Sequence, residues 1–216
     1  MRIEERLQLL DIAERSGAWI VEDDYDGEYR FRGRPMPALL GLDYTDRVIY
    51  VGSFGKTLLP ALRIGYLIVP RDLAAAFDRA VSITGQFAPL VLQATVNDFI
   101  KRGYLAAHLK RMRRLYQRRQ ANFVRLCAAH LGDWLTVSEN DSGMQLLASF
   151  RQPLDDRDVV AAALSEGLDV QGISPNYHSG QPEHGLLLGY AALDDRQIMR
   201  AILALRAAFV RLTRQR

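Results

Sequence analysis

Val48-Ile49-Tyr50-Val51-Gly52-Ser53-Phe54-Gly55-Lys56-Thr57-Leu58-Leu59-Pro60-Ala61-Leu62-Arg63-Ile64-Gly65-Tyr66-Leu67-Ile68-Val69 is the stretch on which the fold turns. Apolar, β-branched and aromatic runs at Arg47–Val51 and Ile64–Val69 predict two strands, and the glycine- and proline-punctuated segment between them predicts an irregular turn. Lys56 stands in that turn. It is one of three lysines in a chain with 25 arginines. An arginine keeps its proton in a protein, whereas a lysine amine can be tuned to lose it and attack a carbonyl. Position and rarity together suggest amine chemistry; a surface lysine of no special role is the plain alternative. Lys101 and Lys110, among arginines in a helical stretch, fit that plainer description.

Working outward, Arg2–Ser16 places Ile3, Leu7 and Leu10 on one helical face, and Gly17 is a natural stop. Ala18–Val21 predicts a buried strand that runs into the acidic cluster Glu22-Asp23-Asp24-Tyr25-Asp26. A polar stretch extends to about Asp46. Beyond Pro70, helices are expected from Asp72 (as a cap) to Val81, over Pro89–Arg102 and over Tyr104–Leu131. After Gly132 the rhythm becomes ββαββα: strands at Trp134–Val137 and Gln145–Phe150, a helix at Asp156–Glu166, strands at Leu168–Ile173 and Leu186–Ala191, and a last helix capped at Asp194 or Asp195. This predicts an α/β region over residues 1–132, ending in a long interdomain helix, and a smaller α+β domain over 133–216.

Composition narrows the function. The 216 residues are 49% hydrophobic and carry a net charge of +3. That suffices for a sizeable core and falls short of the cationic surface that by itself indicates nucleic acid. Cys127 is the single cysteine, so no intrachain disulfide is possible. His108, His130, His178 and His184 show no metal-ligand spacing. Met1 leads into a charged amphipathic helix rather than a signal peptide, and no apolar run nears the roughly 18–20 residues that span a bilayer. The expectation is a soluble, cytoplasmic chain with no membrane partner.

Ligands of open α/β sheets bind at the carboxyl ends of the strands. Asp23 and Tyr25 follow the first strand, and Ser53 and Lys56 follow the second. If those strands are neighbours, a carboxylate, a phenol and an amine face one crevice. Arg63 would add a cationic fork, and Ser53 with the Gly52 and Gly55 backbone would allow phosphate oxygens to approach closely. Such a combination suits pyridoxal phosphate. Gly55-Lys56-Thr57 also looks like the end of a nucleotide-binding P-loop, but that motif needs a glycine where Tyr50 stands.

Val21-Glu22-Asp23-Asp24-Tyr25-Asp26-x-Glu28-Tyr29-Arg30 followed by Gly52–Tyr66 closely resembles fold-type I enzymes dependent on pyridoxal 5'-phosphate (PLP), the class I/II aminotransferases. More narrowly it resembles the aminotransferase-like domain of MocR-type regulators of the GntR family. The resemblance continues through His108-x-x-Arg111-Met112-Arg113-Arg114-x-Tyr116-x-x-Arg119, Ser142-Gly143-Met144 and Leu187-Leu188-Gly189-Tyr190-Ala191. It implies part of the fold-type I large domain followed by the small C-terminal domain. It implies a Schiff base on Lys56, Asp23 paired with the pyridine nitrogen, Tyr25 on the ring 3-oxygen, and Ser53 and Arg63 on the phosphate. It also implies a homodimer that acts on or senses an amino acid or amine.

Two departures shape the expected function. Many fold-type I aminotransferases grip the substrate carboxylate with an arginine at the position of Leu187, which argues against ordinary α-amino-acid transamination. The family's large domain also has about a hundred further residues upstream, and MocR-type proteins carry an N-terminal winged helix-turn-helix that nothing here resembles. The chain is therefore expected to be a C-terminal portion, with DNA contacted only through a domain preceding it. A catalytically active aminotransferase and a truncated remnant with impaired PLP binding are the alternatives. Lys101–Arg125 carries nine cations, with no acid between Asp98 and Asp133. Nucleic-acid contact is one reading of that stretch; a solvated or subunit-facing helix is the favoured one, because aromatics are too sparse for a stacking platform.

Overall fold

The computed structural model describes residues 1–33 and 37–214. The chain forms two compact units, Met1–Glu28 with Gly33–Leu109, and Tyr29–Arg32 with Lys110–Arg216.

In the first unit, α1 (Ile3–Ser16) ends at Gly17, whose φ of 69° is the left-handed conformation that glycine adopts without penalty. β1 (Ile20–Asp24) pairs in parallel with β2 (Val48–Ser53), and β2 pairs antiparallel with β3 (Gly65–Ile68), giving the order β1-β2-β3. Leu10, Leu39 and Val48 form a small core, with Leu9, Ile20, Leu40 and Leu42 packed on it. Carboxylates organise the segment between β1 and β2. Glu22 accepts from the Leu39 and Leu40 amides at 2.7 and 3.1 Å. Asp43 accepts from the amides of Thr45, Arg47 and Val48 at 2.9, 2.7 and 2.8 Å. Burial raises the Asp43 pKa, and these donors outweigh it, holding the carboxyl below its ordinary range.

α2 (Phe54–Thr57) is a single turn, a short 3-10 turn follows at Pro60–Leu62, and α3 (Arg71–Thr84) and α4 (Leu90–Lys101) come after β3. Asp72 sits in the first turn of α3, while Pro70 holds the cap position. The expected Asp72 cap is thus displaced by a residue whose fixed φ suits a helix entrance. α5 (Tyr104–Leu131) runs from the first unit into the second.

The second unit contains β4 (Leu135–Val137), β5 (Gln145–Phe150), α6 (Asp156–Ser165), β6 (Gln171–Gly172), β7 (Gly185–Gly189) and α7 (Asp195–Arg214). The sheet order is β4-β5-β7-β6, antiparallel throughout. Leu146, Ala148, Leu186 and Leu188 form its buried face against Phe123, Leu126 and Cys127 of α5, Val159 of α6, and Ile198, Ile202 and Phe209 of α7. Each large apolar side chain among them contributes about 1.5–3 kcal/mol of burial. Trp134 stacks on Phe209 at 5.6 Å. Burial pushes the Cys127 thiol up to about 12, so it packs as a small apolar group. The segment after β1 belongs here: Phe31 donates to Asp141 O at 2.7 Å, and Tyr29 meets Tyr116 edge-on at 4.9 Å.

The strand expected over Leu168–Ile173 shrinks to two residues, because Gly167 (φ 75°) and the Leu168 bond to Ala163 O extend the end of α6. Asp194, rather than Asp195, caps α7: it accepts from the Gln197 amide while Gln197 accepts from its own, both at 2.8 Å.

Candidate functional site in the first unit

The β1–β2 register sets Asp23 opposite Val51, so Val21 and Asp23 share one face of the sheet with Ile49, Val51 and Ser53. Glu22 and Asp24 point to the other face. There Asp24 accepts from Tyr50 Oη at 3.0 Å and from the Gly27 amide at 2.9 Å. Burial first, and then the Asp24 carboxylate, push the Tyr50 phenol well above its ordinary pKa. The acidic cluster is thereby sorted by the pleat: Glu22 and Asp24 hold the fold, and Asp23 is exposed on the face that carries Ser53.

At the end of β2, Ser53 caps α2 by accepting from the Gly55 amide at 3.0 Å. A Cβ on Gly55 would lie 3.2 Å from that hydroxyl, so glycine lets the turn close over it. Phe54 donates to Ile64 O at 3.0 Å, drawing both ends of the loop together. Lys56, in the single turn of α2, is exposed, and Thr57 next to it is buried. Arg63 caps the 3-10 turn at φ 51°, one of two non-glycine residues with positive φ among those described.

Ser53, Gly55, Lys56, Pro60, Arg63, Ile64 and Gly65 line one pocket of about 390 Å³. A hydroxyl, an amine and a guanidinium thus converge, a donor set suited to an anionic ligand with an electrophilic carbon. Asp23 lies one strand over on the same face. Tyr25, 44% exposed just after β1, does not line this pocket. Tyr66 escaped the sequence reading: its ring lies over Gly52, between Tyr50 at 6.1 Å and Phe54 at 5.3 Å.

Two substitutions test this framework. A Cβ on Gly52 would collide with the Tyr66 ring, so Gly52→Ala is expected to cost about 1–3 kcal/mol, measured by urea unfolding. Arg63→Gly relieves a left-handed conformation that costs about 1–2 kcal/mol in an L-residue, against about 0.5–1 kcal/mol of glycine entropy. Stability is expected to hold or rise slightly and, if this pocket takes a phosphate, affinity for inorganic phosphate to fall at least about tenfold with loss of a charge-assisted contact. Calorimetry and phosphate titration on one sample would read both.

The family model for aminotransferases of class I and II matches residues 1–205. The chain is 54% identical over 212 residues to the probable rhizopine catabolism regulatory protein MocR of Rhizobium meliloti, covering 98% of this chain and 43% of that protein. It is 35% identical over 209 residues to the HTH-type transcriptional regulator YdeL of Bacillus subtilis, covering 97% and 45%. Among solved structures it matches the α-aminoadipate aminotransferase LysN of Thermus thermophilus, complexed with N-(5'-phosphopyridoxyl)-L-leucine. That match has a TM-score of 0.88 and 25% identity, and covers 100% of this chain and 56% of LysN. The kynurenine aminotransferase of Pyrococcus horikoshii, 24% identical, shares the fold at TM-score 0.88, covering 98% and 52%. The chain therefore spans about half the length of the proteins it matches. Its fold is the α/β fold of type I aminotransferases, and it belongs to the aminotransferase class I and II family, in the aminotransferase-like branch represented by MocR.

Proposed function

We propose that the chain is the PLP-binding, ligand-sensing part of a MocR-type transcriptional regulator, and that Lys56 carries the cofactor. The observation that carries this reading is the convergence of Ser53, Lys56 and Arg63 on one pocket in a chain of this family. The phosphopyridoxyl compound held by LysN supports the choice of cofactor. When bound, PLP supplies a carbonyl carbon for amines and a ring that accepts electrons.

Each residue has a part that its chemistry suits. Lys56 Nζ supplies the nucleophile and later takes up or gives back a proton. The Arg63 guanidinium and the Ser53 hydroxyl donate to a phosphate; Ser53 already accepts from Gly55, so its own hydrogen is available to donate. The Asp23 carboxylate holds a proton on a pyridine nitrogen, and Tyr25 donates to the ring 3-oxygen. Residues 1–132 and 133–216 would be the partial large domain and the small domain, working as a homodimer.

Leu187 supports sensing over turnover. Where many aminotransferases of this fold place a carboxylate-gripping arginine, this chain has a half-buried leucine paired with exposed Leu147. An amine without a carboxylate then fits better than an α-amino acid. The test is to mix the purified chain with PLP, reduce with borohydride and map the label. The expected result is a phosphopyridoxyl group on Lys56, with neither Lys101 nor Lys110 labelled, and a visible band that responds to simple amines more than to α-amino acids. Label spread over all three lysines would sink the proposal.

A further inference from the structure

We propose that the exposed face of α5 from Lys110 to Arg125 docks on the phosphate backbone of duplex DNA. This rests on the regulatory reading above, and it adds a backbone contact beside the DNA-binding domain expected to precede this chain. At about 100° per residue, Lys110, Arg111, Arg114, Arg118 and Arg125 fall within one arc of about 100°. All five are exposed, and the other residues of that arc include Ala107, Ala121 and Ala128, also exposed and too short to mask the charges. Phe123, Leu126 and Cys127 bury the opposite face.

Among the described residues, Lys110, Arg114 and Arg118 have no ion-pair partner, and no acid occurs between Asp98 and Asp133. Arg125 donates to Asn122 Oδ1 at 2.7 Å. A helix face that serves solubility mixes both signs. Here like charges recur at i, i+4 and i+8, an arrangement that destabilises a helix and that a polyanion would relieve. The charge is also segregated. The second unit carries seventeen Lys and Arg against eleven Asp and Glu, a net +6, while the first carries eleven against fourteen, a net −3.

The chemistry favours duplex backbone. The stripe runs about 22 Å along the helix at 1.5 Å per residue, and a duplex presents about one charge per 1.7 Å. Arginine forks match phosphate oxygens in pairs. No aromatic side chain shares the arc, so stacking on unpaired bases is not provided for. Such contacts position a protein on DNA without reading sequence.

The test is fluorescence anisotropy of the whole chain with a labelled duplex of about 30 base pairs and arbitrary sequence, from about 50 to 200 mM KCl. Binding should weaken steeply with salt. The variant K110A/R114A/R118A should bind at least about tenfold more weakly at the low-salt end and flatten the log–log salt slope by about 2.7, or about 0.9 per phosphate lost. A control that removes Arg151, Arg157 and Arg206 together, exposed cations elsewhere in the same unit, should bind like the parent. Equal binding by parent and triple variant overturns the proposal, as does an equal loss in the control. So does a triple variant that only changes sedimentation from dimer to monomer, since the stripe would then face a second copy. Borohydride labelling of Lys56 in the same samples reports folding and keeps a failure of the cofactor reading distinct from a failure of the DNA surface.

Discussion

Asp156→Ala is expected to destabilise the second unit by about 3–5 kcal/mol, because two buried donors each lose a partner at about 1–3 kcal/mol and a cavity opens. Asp156 is a fully buried carboxylate among the described residues, at the first position of α6. Its two oxygens accept from the Ser174 amide at 2.7 Å and the Ser174 hydroxyl at 2.6 Å, with His184 Nδ1 at 3.3 Å. These bonds tie α6 to the segment between β6 and β7. Alanine would leave the Ser174 donors buried and unmet and open a cavity against Gly172, whose absent side chain makes room for the carboxylate. Unfolding in urea, followed through Trp134 with Trp19→Phe as background, should show the midpoint lowered by roughly 1–5 M for slopes of about 1–3 kcal/mol/M.

The same group sets an acid limit. Burial alone would raise the Asp156 pKa, but the Ser174 and His184 hydrogen bonds outweigh it and hold the pKa at about 2. A carboxyl whose folded pKa is depressed stabilises above its unfolded value, near 3.9, and loses that contribution as pH falls through the folded value. The second unit should therefore lose about 2–3 kcal/mol between roughly pH 5 and 1, centred on the interval between the two pKa values. Asp156→Asn should remove that acid dependence. An acid transition unchanged in the Asn variant would mean that another carboxylate governs it.

Local chemistry made much of this molecule legible, and pairing in space made the rest illegible. α1, β5, α5 and α7 lie close to where periodicity, Gly17 and Asp194 place them, because those signals act within a few residues. The Lys56 turn was legible because a rare lysine, glycines and proline interrupt two apolar runs. What sequence spacing could not resolve was which acid of Glu22-Asp23-Asp24 does what. That depends on the pleat and on partners 17 to 26 residues away, the Leu39 amide and Tyr50. Tyr66 over Gly52 and Asp156 with Ser174 were hidden for the same reason: each is a contact across strands or loops with no local sequence mark. The stripe on α5 was visible as composition, but only a helix with a known buried side shows that five of its cations share one exposed arc.

Lys56→Ala should abolish covalent cofactor attachment while leaving the fold intact, and that contrast is its diagnostic value. Lys56 is exposed, so truncation should change stability by no more than about 0.5 kcal/mol. With Ser53 and Arg63 in the proposed roles, the phosphate donors remain and inorganic phosphate should still bind. What disappears is the one amine among the residues that line the pocket. PLP affinity should fall at least about a hundredfold, close to about 3 kcal/mol. Wild-type chain at about a hundred times its Kd should gain about 2.7 kcal/mol of apparent stability from PLP, and the variant should gain far less. Lys56→Arg sharpens the argument. It keeps the positive charge but supplies no amine that can lose a proton. If charge alone held the cofactor, the Arg variant would retain the visible band and the stabilisation. If bond formation at Nζ is what matters, both variants lose the band and neither is labelled after borohydride, while Lys101 and Lys110 stay unmodified in all three proteins. A borohydride-fixed label on Lys101 or Lys110 would move the site away from Lys56 altogether.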